Sequence, residues 1–245
     1  MIDALDTRPS HSYQGQDLFV LEVLGGQLGG YFLDSGASNG RKGSNTWLLE
    51  SQYGWQGICV EPNAETFRQL RANRDCICLD CCLYDRDGPV DFLEAAGVYG
   101  GIIEAYDPQH LSFTRRMLGS RWPEGAPAPT VRREARTLRS VLRGAGAPPT
   151  IDYWSLDTEG SELALLMSFP FDEYRVRVLT VEHNNGPVRE QIRRFLEGRG
   201  YRRARDLGID DGYVLADEPA RVSAADPAAS GQAWRSAVWR GRRGR

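Results

Sequence analysis

Lysine is all but missing from this 245-residue chain: among thirty basic residues only Lys42 is not an arginine, a bias of codon usage that carries no function of its own. An excess of positive charge is missing as well. Thirty-three acidic residues leave a net charge of −3, which gives no electrostatic reason to expect DNA, RNA or an anionic membrane as partner. No apolar run approaches the ~20 residues that span a bilayer. Residues 1–16 lack the basic start and apolar centre of a secretion signal, so the expected compartment is the cytoplasm. The five cysteines, Cys59, Cys76, Cys78, Cys81 and Cys82, are an odd count. Cys78 and Cys81 have the two-residue spacing of a zinc knuckle, but no second Cys/His pair follows at a suitable distance. Residues 76–79 therefore read as a continuous buried strand in which the thiols pack as small hydrophobes.

What is present is a chain long enough for one well-buried core, with 41% hydrophobic and 26% charged residues. Residues 1–30 read as an N-terminal helical segment, with an apolar stripe of Leu18, Phe19, Leu21, Val23, Leu24 and Leu28 closed by Gly29-Gly30. The order that follows is strand 31–34, helix 44–53 with Ser44 as N-cap, strand 57–60, helix 63–73 and strand 76–79. After a short strand at 90–93, residues 97–130 show no sustained period. An irregular stretch of that length suits a lid or substrate loop. Helix 137–143, strand 151–156, helix 161–168, strand 176–181, helix 187–199 and an edge strand at 213–215 complete residues 31–215 as one α/β domain. The alternation argues for a mostly parallel sheet with right-handed crossovers. Residues 216–245, rich in Ala, Pro, Ser and Arg, read as a loosely ordered tail, in which Trp234 and Trp239 leave open a docked helix or an oligomer contact.

The strongest functional signal is Tyr31-Phe32-Leu33-Asp34-Ser35-Gly36-Ala37-Ser38-Asn39-Gly40, an apolar strand that breaks into two glycines four apart. Gly36 permits a tight turn against a ligand and Gly40 a close approach or a positive φ. About twenty residues on, Gly57-Ile58-Cys59-Val60 ends at Glu61, where a nucleoside-type site places a carboxylate on ribose hydroxyls. In a parallel sheet the ligand lies beyond the carboxyl ends of the strands, so residues 34–40, 61–63, 80–82, 157–162 and 182–185 should share one cleft. Asp80 then falls near an adenine amino group. Asp157 and His183 each end an apolar strand, and a histidine suits deprotonation of a hydroxyl. Asp157, Glu182 and Asn184 also offer oxygen ligands of the kind Mg²⁺ accepts, as in metal-dependent catechol-type methyltransferases.

These residues resemble the FkbM-type family of S-adenosylmethionine-dependent methyltransferases. The resemblance runs from about residue 12 to 215 and rests on Gly15-Gln16-Asp17-Leu18-Phe19-Val20-Leu21, residues 32–40, Gly43-Ser44-Asn45-Thr46, residues 57–63, residues 151–162 and Val181-Glu182-His183-Asn184. The Asp157-Thr158-Glu159-Gly160-Ser161-Glu162 element is its most specific part. The resemblance implies a Rossmann-like, seven-stranded class I methyltransferase fold, S-adenosylmethionine as cofactor, and O-methylation of a hydroxyl on a natural product, sugar or glycan. It implies cofactor contacts from Asp34, Gly36, Ala37, Ser38, Gly40 and Asn45, with Glu61 and Pro62 at the ribose, Asp80 and Cys81 at the adenine, and Asp157 with Glu159 near the sulfonium. His183 is then the candidate base, oriented by Glu182 or Asp157. Ser35 departs from the aliphatic residue expected there. A nicotinamide-dependent oxidoreductase is the rival reading, weakened because Ser38 stands in a loop that lacks Gly-x-Gly-x-x-Gly spacing. A non-catalytic binding protein that keeps the fold is the other.

Overall fold

The computed structural model describes residues 9–218. Its elements are α1 (Gln16–Val23), β1 (Tyr31–Ser35), α2 (Trp47–Tyr53), β2 (Gln56–Val60), α3 (Ala64–Asn73), β3 (Ile77–Leu79), β4 (Cys82–Leu83), β5 (Gly88–Phe92), α4 (Pro108–Leu118), β6 (Val131–Arg136), α5 (Leu138–Gly144), β7 (Thr150–Leu156), α6 (Glu162–Ser168), β8 (Arg175–Glu182), α7 (Val188–Glu197), β9 (Tyr201–Leu207) and β10 (Asp210–Leu215). Seven strands form one sheet in the order β3-β2-β1-β7-β8-β10-β9. The first five are parallel, and β10 runs antiparallel between β8 and β9.

Alternation along the central strands divides the core between the two faces of this sheet. Leu33, Ile58, Trp154 and Leu179 pack on one side with Leu138, Leu165, Ile192 and Leu196 of α5, α6 and α7. Phe32, Cys59, Tyr153 and Val178 pack on the other with Phe19 and Val20 of α1, Leu48 and Leu49 of α2, and Leu70 of α3. Ser35, polar in a strand where an aliphatic residue was expected, is fully buried because its Oγ accepts the indole N–H of Trp154 at 2.9 Å. The hydroxyl satisfies a donor that an aliphatic side chain would leave without a partner.

Several expected elements shift. α1 is shorter than its apolar stripe, and Leu28 stands outside it, 73% exposed. Ser44 does not cap a helix at residue 44; its Oγ accepts from the amides of Thr46 and Trp47, and α2 begins at Trp47. Residues 76–79 are not a buried run, because β3 is the edge of the sheet and leaves Ile77 41% exposed. At the other end, β10 is interior, and the edge belongs to β9, which its charged sequence concealed. Residues 97–130 are not irregular throughout. They contain α4, capped by Asp107, whose carboxylate accepts from the amides of Gln109 and His110. A three-stranded sheet, β4-β6-β5, carries this segment. Trp234 and Trp239 lie outside the described residues.

A buried cation holds the start of the domain together. The Arg74 side chain, wholly buried, pairs with Glu50 and donates to Thr46 Oγ1 at 3.0 Å, the Gly40 carbonyl at 3.2 Å and Ser44 Oγ at 3.3 Å. Removing one member of such a buried pair leaves its partner uncompensated. Arg74→Met is therefore expected to cost about 3–5 kcal/mol in urea unfolding; a loss below about 1 kcal/mol, the scale of an exposed pair, would contradict this account.

Candidate active site

The chain order reverses between β1 and β7, where a parallel sheet opens a crevice beyond its carboxyl ends. A cavity of about 420 Å³ lies there. Gly36 sits at its floor with φ 92°, and a Cβ on it would lie 1.7 Å from the Asp157 carbonyl oxygen, so only glycine fits. The amides of Gly36 and Ala37 both donate to the Val60 carbonyl at 3.0 Å, which ties the loop after β1 to the end of β2. Glu61 completes the tie. One carboxylate oxygen accepts from Ser38 N at 2.8 Å and the other from Asn63 N at 2.7 Å. Burial raises the Glu61 carboxyl, opposed by these amides. Asp34, also raised by burial, is held by Thr46 Oγ1 at 2.6 Å. Asn45 reaches across to Ser155 Oγ at 2.8 Å.

The opposite wall is acidic. Asp157 ends β7 and Glu182 ends β8, and carboxylate oxygens of Asp157, Glu159 and Glu182 all lie within 4.8 Å of one another. Asp210, at the start of β10, is the direct cross-strand partner of Glu182. Glu182 Oε2 and Asp210 Oδ1 are buried with no hydrogen-bond partner, whereas the other Asp210 oxygen accepts from Gln16 Nε2 at 2.5 Å. Burial, reinforced by the neighbouring acids, pushes both Asp157 and Glu182 well above the ordinary carboxylate range. Glu162 builds this wall rather than facing it. Its Oε1 accepts from Thr158 N at 2.7 Å, Thr158 Oγ1 at 2.9 Å and Gly160 N at 3.1 Å, which fixes the turn that carries Glu159 at φ 58°.

The cavity is lined by Asp34, Gly36, Ala37, Ser38, Asn45, Glu61, Pro62, Cys81, Asp157, Glu159, Glu182 and Asn184, all expected at the site. Three expected residues do not line it. His183 is buried behind the wall: its Nδ1 accepts from Asn185 N at 3.0 Å and its Nε2 faces Asp211 at 3.7 Å. Alternation along the end of β8 turns it away when Glu182 faces in. Gly40, at φ 74°, is pressed between Leu70 and Arg74, so its missing Cβ serves packing. Asp80 turns outward, 3.9 Å from Arg133. Residues not anticipated as site residues also line the cavity, namely Tyr13, Gln14, Gln16, Lys42 and Tyr99. The Gly15-Gln16-Asp17 motif was the available signal for the first group. Asp17 gathers Ser10 Oγ, the amide of His11 and Ser12 Oγ at 2.6–2.8 Å, and this knot holds the segment over the cavity mouth.

No curated protein matches this chain. A solved structure titled precorrin-6y C5,15-methyltransferase, from Geobacter metallireducens GS-15, aligns over 86% of this chain and 90% of its own at 12% identity, but with a TM-score of 0.37 the likeness carries no argument. The model of the methyltransferase FkbM domain matches residues 34–203, more than half of the chain. That match begins at Asp34 of the glycine loop and takes in both the Glu61 tie and the acidic wall, so the chain belongs to the FkbM methyltransferase family.

Proposed function

We propose that the protein transfers the methyl group of S-adenosylmethionine to a hydroxyl oxygen of a small molecule, a natural product, sugar or glycan. One observation carries this reading: a nucleoside-type floor, the Gly36 loop tied to Glu61, faces a wall of buried carboxyls across a single cavity. Glu61 lines the cavity with a carboxylate that can accept from ribose hydroxyls, and Gly36 lets the ligand approach the backbone. Pro62 and Cys81 border the adenine side, and Asp157 with Glu159 borders the reacting centre.

When bound, the cofactor supplies an electrophilic methyl carbon on sulfur; the S–C bond breaks as an O–C bond forms, and sulfur keeps the electron pair. The chain aligns the acceptor oxygen, excludes water and takes the hydroxyl proton. Glu182 is the group for that proton. Its Oε2 is unpartnered in the cavity wall, and a carboxyl that burial and neighbouring acids raise well above the ordinary range is a stronger base than an ordinary one. This replaces His183, which does not line the cavity. The carboxylates that converge are Asp157, Glu159 and Glu182, without Asn184; Mg²⁺ held by them would act as a Lewis acid on the acceptor oxygen, with Glu182 then a ligand in place of the base.

Methyl label moving from S-adenosylmethionine to a hydroxyl acceptor tests the reading, and label recovered only on nitrogen or carbon would refute it. Glu182→Gln should lower transfer by about 10²-fold or more, with S-adenosylhomocysteine affinity kept; undiminished turnover would remove its role. Glu61→Ala is expected to weaken S-adenosylhomocysteine binding by about 10–100-fold in calorimetry, the worth of one or two hydrogen bonds to a charged group. A carboxyl whose pKa is higher folded than unfolded adds stability below its unfolded value and loses it as pH rises through the folded value. The melting temperature of the ligand-free protein should therefore fall as pH rises above the ordinary carboxylate range, and Glu182→Gln should flatten that slope. An identical slope in the variant would show that Glu182 does not titrate there.

A further inference from the structure

A histidine that meets the acidic wall lies on α4 and not at the end of β8. Residues 93–122 form a unit with a small core of its own, Leu93, Tyr106, Leu118 and Trp122, and it docks on the turn that carries Glu159. The fit leaves no room for a side chain at Gly101 and little at Gly160, which also stands at φ 118°. A Cβ on Gly101 would lie 2.5 Å from the Tyr106 ring and 2.7 Å from the Glu159 carbonyl oxygen, and one on Gly160 would lie 3.2 Å from Tyr106 and 3.3 Å from the Ala105 carbonyl. One polar contact crosses this joint at the acid: His110 Nε2 lies 3.2 Å from Glu159 Oε2, with both side chains largely buried. The imidazole is fixed from behind. It stacks on Tyr106 with ring centroids 4.5 Å apart and planes 10° apart, and the Tyr106 hydroxyl donates to the Tyr99 carbonyl at 2.6 Å. Tyr99 and Glu159 both line the cavity, and His110 does not.

We infer that His110 is a positioning residue: its Nε2–H holds the Glu159 carboxylate in the cavity wall and, by the same bond, clasps residues 93–122 over the acceptor side of the site. The inference rests on the methyltransferase reading for what the cavity holds, but not for the clasp itself. The geometry supplies the reason for both halves. Glu159 stands at a left-handed φ that a glutamate adopts at a cost, and its carboxylate meets His110 Nε2 at 3.2 Å. The covering unit has its own core and is tied to the domain elsewhere by Glu94, which meets Ala64 N and Arg133, and by Glu104, which meets Arg86; at the acidic turn the His110–Glu159 contact is the directed bond among packed rings and glycines. Burial would keep His110 neutral, yet the Glu159 hydrogen bond and charge outweigh it and raise the imidazole, consistent with a donor at Nε2. Acceptor entry and placement of Glu159 thus become one event: the cover that admits the acceptor also carries the group that aims the acid.

Trypsin reads the clasp directly, because Arg116 and Arg121 are exposed but lie in helical turns that must open before cleavage. His110→Leu should speed cleavage at these arginines by about tenfold, as loss of a hydrogen bond to a charged group predicts. His110→Gln, whose amide can still donate, should restore protection to within about twofold of the parent. Glu159→Ala approaches the same bond from the other side and should match His110→Leu, which keeps the test alive if the leucine variant folds poorly. In protein labelled with ¹⁵N-histidine, Glu159→Ala should also shift the Nε2 signal of His110 while leaving that of His183 in place. Parental cleavage rates in both His110→Leu and Glu159→Ala, or a glutamine variant as labile as the leucine one, would overturn the inference. S-adenosylhomocysteine affinity, measured alongside, separates the two readings: its absence from the parent protein would defeat the cofactor assignment and leave the clasp standing.

Discussion

A Cβ at residue 36 would lie 1.7 Å from the carbonyl oxygen of Asp157, and the geometry of the site follows from that contact. The loop after β1 and the turn after β7 come from opposite halves of the sheet, between which the order of the strands along the chain reverses. Because residue 36 is glycine the two backbones touch, and the nucleoside-type floor and the acidic wall become sides of one cavity. Glu61 extends the same economy to β2 by accepting an amide from each neighbouring loop while facing the cavity. Any side chain at position 36 would push the two apart, and the remaining contacts would have nothing to close around.

The site is built against the preferences of folding. Asp157, Glu159, Glu182 and Asp210 crowd one wall, and two of their oxygens are buried without partners. Carboxyls held this way are pushed toward their neutral form, a cost carried by the packed strands on either side. In the proposed reading the same arrangement makes Glu182 a stronger base than an ordinary carboxylate. Buried acids elsewhere in the chain are treated differently. Burial would push Asp211 up, but His183, Arg189 and Arg203 surround it and hold it below the ordinary range, and there the histidine has a structural place.

Much of this was legible in the sequence because the period of each element and the residues ending each strand are local properties. The glycine loop, Glu61 and the acidic turn were all placed in one cleft by the rule that ligands sit beyond carboxyl ends. Direction within that cleft was not legible. His183 and Glu182 are neighbours, and only the register of β8 decides which of them faces inward. Asp80 failed for a similar reason, since β3 is a short edge strand and its end splays toward Arg133. The pairing of His110 with Glu159 joins α4 to the turn after β7 where two glycines pack against tyrosine, and no periodic signal announces such a joint. Ser35 appeared as an anomaly, and its explanation, the indole of Trp154, lies on a strand far along the chain.

The central claim is that the Gly36–Glu61 floor holds an S-adenosyl nucleoside and not a nicotinamide one. Calorimetric titration of the same protein with S-adenosylhomocysteine and with NADH tests it most directly. Micromolar, one-to-one binding of S-adenosylhomocysteine with no heat from NADH is the predicted result, and saturable binding of NADH without S-adenosylhomocysteine binding would contradict the account.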